Sequence, residues 1–171
     1  MVVDEWTFQV LTTARELAEH SHGAFDPTVA PTLQRWGILP AAPAAWNEVL
    51  PGTWRDVELR SGQRVRFARP LRLDLGGIAK GFAVDRAVEA LQAAGVASGL
   101  VNAGGDLRVF GPCEHAVQLR DPRFPGIRAG VLPLRNAALA TSAPTFSRGV
   151  NDGGAISHLV DPATHRASIA D

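Results

Sequence analysis

The sequence predicts an α+β fold, with helices packed on a mainly antiparallel β-sheet. Three observations carry that expectation. Apolar residues recur at helical spacing in Asp4 to Glu19 and again beyond Phe82. Short runs that alternate in polarity, bounded by turn residues, crowd the second half from Gly99 to Val160. Between the two regions lies Leu73-Asp74-Leu75-Gly76-Gly77-Ile78-Ala79-Lys80-Gly81-Phe82-Ala83-Val84-Asp85, which reads as a strand, a glycine turn and the opening of a helix. Helices early and strands late favour helices layered on an antiparallel sheet. At 171 residues the chain can bury a core; its length allows one domain or one domain plus a lobe, and it is read as a single domain over 1–171.

Taken in order, Asp4 to Glu19 is an amphipathic helix with Phe8, Leu11, Ala14, Leu17 and Ala18 on its buried side and Asp4 as its cap. The chain then turns through Ser21-His22-Gly23. Asp26-Pro27-Thr28 has the chemistry of a turn that starts a short helix, running to about Trp36 and ended by Gly37. Pro40 to Pro43 is linker-like, and a short helix is expected around Ala44 to Leu50. Trp54 to Phe67 reads as a β-hairpin turning at Ser61-Gly62.

Pro70 to Leu75 alternates as a half-buried strand does. Gly76-Gly77 is expected to turn with positive φ and to leave the backbone bare toward a ligand. On the helix that follows, Val84, Ala87, Val88 and Leu91 share a face, and Gly95 stops it. Gly99 to Asn102 is expected as a buried strand, and Gly104-Gly105 after it as a second close approach of backbone. Val117 to Arg120, Gly130 to Leu134 and Ala137 to Thr141 read as further strands of a meander. A loop from Gly149 to Gly154 precedes a last strand, Ala155 to Val160, stopped by Asp161-Pro162.

Two residues invite chemistry. Lys80 is the only lysine in the chain, against sixteen arginines. Amides at a helix start carry partial positive charge, and a compact ammonium beside them suits a phosphate; a lysine left at the surface by chance is the other reading. His158 stands in the apolar run before Asp161-Pro162, either as a core histidine bonded to a carbonyl or as a functional one. Asp74, Asp85 and Asp106 taken singly read as capping or turn residues, and His20 and His22 as surface residues.

Several classes are disfavoured. Acidic and basic residues balance at seventeen each with pI near 7.0, and the arginines are scattered, so no footprint for nucleic acid is present. One cysteine, Cys113, excludes an internal disulfide. No apolar run reaches membrane-spanning length, and the start shows no signal-peptide pattern, which leaves the compartment open.

Five motifs in order then carry a resemblance. Gly23-Ala24-Phe25-Asp26-Pro27-Thr28-Val29, the Leu73–Asp85 stretch, Val101-Asn102-Ala103-Gly104-Gly105-Asp106, Ala140-Thr141-Ser142 and His158-Leu159-Val160-Asp161-Pro162 resemble the ApbE family of FAD:protein FMN transferases. The resemblance spans roughly residues 4 to 165. It implies binding of FAD as substrate and, with Mg²⁺, transfer of FMN to a threonine or serine hydroxyl of an acceptor protein, releasing AMP. Ala24, Phe25 and Asp26 match a segment lining the FAD site, and Asp74 and Lys80 match FAD contacts. Gly77 matches a position whose carbonyl helps hold the metal. His158 matches a histidine at the FAD site that assists the attacking hydroxyl.

The resemblance also implies family segments beyond both ends of this chain. One precedes it and brings a methionine and an aromatic residue near the flavin; the other follows it and brings an Asp and a Thr or Ser to the metal, so the metal site is expected to be incomplete. Family members are often exported and membrane-anchored. Thr164-His165 stands where the family usually has Thr-Gly, and Thr141-Ser142-Ala143 where it has Thr-Ser-Gly. Two other readings stand beside flavin transfer: a flavin-binding or FAD-hydrolysing protein without transferase activity, and an interaction domain whose glycine turns are structural.

Overall fold

The computed structural model describes residues 1–43, 49–121, 124, 126–142, 149–151 and 154–168. The chain divides into two compact units, Met1–Gly77 with Ser147–Asp171, and Ile78–Phe146.

In the first unit, α1 (Glu5–His20) is capped as expected: Asp4 Oδ1 accepts the Thr7 N–H at 3.0 Å. Val10, Leu11, Ala14 and Ala18 are buried, whereas Leu17, expected inside, lies at the rim of that face and is 43% exposed. Gly23, at φ +85°, closes the helix by donating its N–H to the Ala18 carbonyl at 2.8 Å. Asp26 then caps a one-turn 3₁₀ segment, Pro27–Val29, which runs directly into α2 (Ala30–Arg35) and stops at Gly37, φ +73°. Most of the helix expected at Ala44 to Leu50 lies outside the described residues.

The expected hairpin forms as β1 (Val57–Arg60) and β2 (Arg64–Phe67), antiparallel with Val57 opposite Phe67. Trp54–Asp56 is a 3₁₀ turn rather than strand. The cause is local, since Asp56 Oδ2 accepts the Thr53 N–H at 2.9 Å and curls the backbone. Leu11, Val57, Val65 and Leu71 form the core of this unit, with Leu73 and Leu75 packed on it. Pro70 to Leu75 therefore alternates as read, but it joins no ladder. The Asp74 N–H is taken by the Pro27 carbonyl at 2.7 Å, which a strand partner would otherwise occupy.

Near the end of the chain β3 (Gly149–Asn151) pairs with β4 (Gly154–Ile156), so a hairpin replaces the expected loop. The strand expected to reach Val160 breaks after Ile156. Buried Ser157 accepts the Leu159 N–H on its Oγ at 3.1 Å and turns the chain out of extended geometry. β5 (Val160–Asp161) then pairs with β6 (Arg166–Ala167) across a turn in which His165 has φ +53°. That left-handed position is one that favours glycine. Here the histidine is held by its N–H to the Asp161 carbonyl at 2.8 Å and by its Nδ1 lying 3.3 Å from the Thr32 hydroxyl. The Thr164 hydroxyl and the Ala163 N–H hold the Asp161 carboxyl below the usual carboxylate range.

The second unit is built on α3 (Ala79–Ala93), ended by Gly95 at φ +86°. Val84 and Val88 are buried; Leu91, expected on the same face, is 38% exposed. The helix packs on β7 (Gly99–Ala103) and β8 (Asp106–Phe110), an antiparallel hairpin. The outer strand β7 is half-exposed, against the expectation of burial, and β8 supplies the buried residues Leu107, Val109 and Phe110. β9 (His115–Arg120) and β10 (Arg128–Leu134) form their own hairpin, and β11 (Ala137–Leu139) returns to pair with β8. The expected meander is thus a three-stranded sheet, β7-β8-β11, interrupted by a hairpin. All strand pairings among the described residues are antiparallel, but they make several small sheets rather than one. No helix among the described residues is long and apolar enough to cross a membrane.

Candidate functional site

The segment Ala24–Pro27 and the turn Asp74–Gly77 meet within the first unit. Besides the bond from Asp74 to Pro27, a Cβ built on Gly77 would stand 3.2 Å from Phe25 Cε2. Gly76 carries its N–H to Asp74 Oδ1 at 2.9 Å, and a Cβ there would meet the same oxygen at 3.0 Å. Neither glycine has positive φ. The expectation of a left-handed turn is corrected: these glycines are needed because neighbours sit where side chains would be, and both remain exposed.

Gly77→Ala is expected to push the half-buried Phe25 ring aside and to cost about 1 kcal/mol, as mild overpacking does. Gly81→Ala is the control, because among the described residues nothing beyond its own stretch of α3 lies within 4 Å of its Cβ position. It should be neutral or slightly stabilising. Urea unfolding of the two variants measures the difference.

Asp26 is the anchor of this corner. Its Oδ1 accepts from the Thr28 N–H at 2.9 Å and lies 2.8 Å from the Thr28 hydroxyl, and its Oδ2 accepts the Trp54 N–H at 3.0 Å. The same hydroxyl reaches the Gly52 carbonyl at 2.8 Å, so its one proton serves one acceptor at a time. Asp26 is buried, Phe25 half-buried and Ala24 exposed.

In the second unit Lys80 lies in the first turn of α3, with its side chain 52% exposed and its Nζ 3.4 Å from Asp106 Oδ2. Gly104 and Gly105 form the two-residue turn between β7 and β8, at φ +66° and +105°. Among the described residues, the adjoining ones aside, nothing stands within 4 Å of either Cβ position, so they are glycines for the sign of φ. The close approach expected of this pair belongs to Gly76-Gly77 instead. Asp85, read as a cap or turn residue, sits inside α3 and pairs with Arg108 at 2.7 Å. The Asp106 and Asp85 ion pairs escaped sequence reasoning because each acid was weighed alone; the common signal was a basic residue on the facing element.

His158 is exposed, in the bend between β4 and β5. The apolar strand position read for it does not form. Among the described residues it has no hydrogen-bond or ion-pair partner, so its ring is free to meet a ligand. His20 and His22 are exposed, as expected.

Among the described residues no three His, Cys, Asp or Glu side chains group as metal ligands. The Gly77 carbonyl accepts no hydrogen bond from the described residues, which leaves a hard oxygen donor available. An open hollow of about 410 Å³ in the first unit is lined by Arg15, Trp54, Arg55 and the β1 residues; of the site residues expected from the sequence none lines it, and Trp54 touches one of them, through its N–H to Asp26.

The chain, an α+β fold, superposes on a class of solved structures. The ApbE protein of Thermotoga maritima matches with a TM-score of 0.81 at 34% identity, covering 98% of this chain and 59% of that one. The flavinyl transferase ApbE of Pseudomonas stutzeri, in its apo form, matches with a TM-score of 0.78 at 27% identity, covering 99% and 56%. The chain belongs to the ApbE family, which it matches over residues 1–170. Among curated relatives, the FAD:protein FMN transferase of Rhodobacter capsulatus is 34% identical over 96% of this chain and 34% of its own length. That of Treponema pallidum is 31% identical over 96% of this chain and 52% of its own length. The chain thus spans about a third to a half of the curated relatives it matches.

Proposed function

We propose that this chain is the flavin-nucleotide-binding part of an FAD:protein FMN transferase, within a single flavin-transferase domain. The observation that supports it most is the union of two sequence motifs at one corner: the Phe25 ring against Gly77, and Asp74 bonded to Pro27. Packed in this way, Ala24, Phe25 and Asp74 offer one wall to FAD, and Asp26 holds that wall in place through the backbone. The exposed backbone at Gly76 and Gly77 lets the diphosphate approach without a side chain intervening. In the second unit Lys80, in the first turn of α3, supplies a point charge suited to a phosphate.

The reaction breaks the bond between the two phosphorus atoms' bridging oxygen and the FMN phosphorus. A threonine or serine hydroxyl of the acceptor protein forms the new P–O bond, and AMP leaves with the bridging oxygen. His158, exposed in its bend, accepts the hydroxyl proton as attack proceeds. Mg²⁺, when bound, would neutralise charge on the diphosphate, and the Gly77 carbonyl is the ligand assigned to it here.

The test is FAD titration of the wild-type chain and of Lys80→Ala, followed by incubation with FAD, Mg²⁺ and a threonine-containing acceptor. Lys80→Ala should weaken FAD about tenfold, the loss of one charge-assisted contact. Its melting temperature should barely move, since an ion pair this exposed contributes little to stability. Fluorescent flavin covalently bound to the acceptor supports transfer, and FMN with AMP but no adduct supports FAD hydrolysis instead. Unchanged FAD affinity in Lys80→Ala would falsify the phosphate role.

A further inference from the structure

The second glycine motif, Asn102 to Asp106, has no role in the function proposed above, yet the fold brings its aspartate to Lys80. Asn102 Oδ1 accepts the Gly105 N–H at 2.9 Å and pins the turn. Gly104 and Gly105 supply its two positive φ values. The turn then delivers Asp106 as the first residue of β8, its side chain only 19% exposed, with Oδ2 3.4 Å from Lys80 Nζ.

The geometry points to Asp106 as a positioning residue that holds the Lys80 ammonium for an anionic phosphate, a role that rests on the flavin-nucleotide reading. Fastening α3 to β8 does not require this pair, because Asp85 and Arg108 already join the two elements at 2.7 Å. What a single carboxylate does for a half-exposed lysine is restrict a long flexible stem, so that less rotamer freedom is lost when a ligand arrives. The ammonium carries three donors, and one carboxylate leaves others for phosphate oxygens. Asp106 itself, mostly buried, is held in register by the ladder from Ala103. The chain from Asn102 through the glycines to Asp106 and Lys80 therefore sets the place of one positive charge.

The experiment titrates the full 171-residue chain, its Asp106→Asn variant and its Lys80→Ala variant with FAD, ADP and riboflavin, and records each melting temperature. ADP carries the diphosphate without the flavin, and riboflavin the flavin without phosphate. Asp106→Asn should weaken FAD and ADP about three- to tenfold, the cost of ordering one long side chain at binding. Riboflavin affinity and the melting temperature should hold. Equal losses for ADP and riboflavin, with a lower melting temperature, would mean that Asp106 is merely structural and overturn the inference. Unchanged or tighter ADP binding in Asp106→Asn, with weakened binding in Lys80→Ala, overturns it too while leaving the phosphate role of Lys80 intact. If Lys80→Ala binds FAD and ADP as wild type does, or the wild-type chain binds neither, the phosphate reading itself falls and this inference with it.

Discussion

Asp26→Ala is expected to destabilise the first unit by about 3 kcal/mol, through loss of a cap and exposure of buried donors to no partner. The carboxylate serves two separate backbone N–H groups, that of Thr28 on one oxygen and that of Trp54 on the other. Alanine leaves both without an acceptor. The Thr28 hydroxyl keeps the Gly52 carbonyl, so that part of the loss is offset. Asparagine is not a conservative replacement here. It has one carbonyl oxygen, so whichever N–H that oxygen satisfies, its NH₂ group faces the other N–H, donor against donor. Asp26→Asn should therefore recover only about half of the alanine deficit. For a chain of this size 3 kcal/mol lowers the melting temperature by about 6–12 °C. Calorimetry of the two variants checks the order wild type, asparagine, alanine. An asparagine variant as stable as wild type would show that one of the two N–H bonds contributes nothing.

What could be read from the sequence follows from how far apart the interacting groups lie. The Asp4 cap, the helix begun by Asp26-Pro27 and the stop at Gly95 are set by neighbours within a turn, and all three form as expected. The alternation of Leu71, Leu73 and Leu75 was legible as a buried face, and those residues do pack on the core. The ladder was not legible, because the competing acceptor, the Pro27 carbonyl, lies far along the chain. The two glycine pairs stood out correctly, but their physical reasons were exchanged. Close approach at Gly77 depends on where Phe25 packs, and the positive φ at Gly104 and Gly105 depends on a two-residue connection between β7 and β8. Of the candidate site, the residue types were visible and the pairings were not: Lys80 with Asp106 and Arg108 with Asp85 join a helix to a strand.

His158→Ala should lower the rate of flavin transfer, or of AMP release from FAD, by about 10²–10⁴, the usual contribution of a positioned general base. The reason to expect so clean an effect is its setting. The buried Ser157 turns the chain through its own hydroxyl, and the imidazole takes no part in that turn. Exposed and unpartnered among the described residues, the ring can be removed without opening a cavity or orphaning a buried donor. The melting temperature of His158→Ala should therefore match wild type. FAD affinity should change less than the rate, since a proton acceptor acts chiefly in the transition state. Added imidazole should restore part of the rate if proton removal is the role. A variant that turns over as wild type does would remove His158 from the reaction, and one that loses FAD binding to the same extent as rate would make it a binding residue instead.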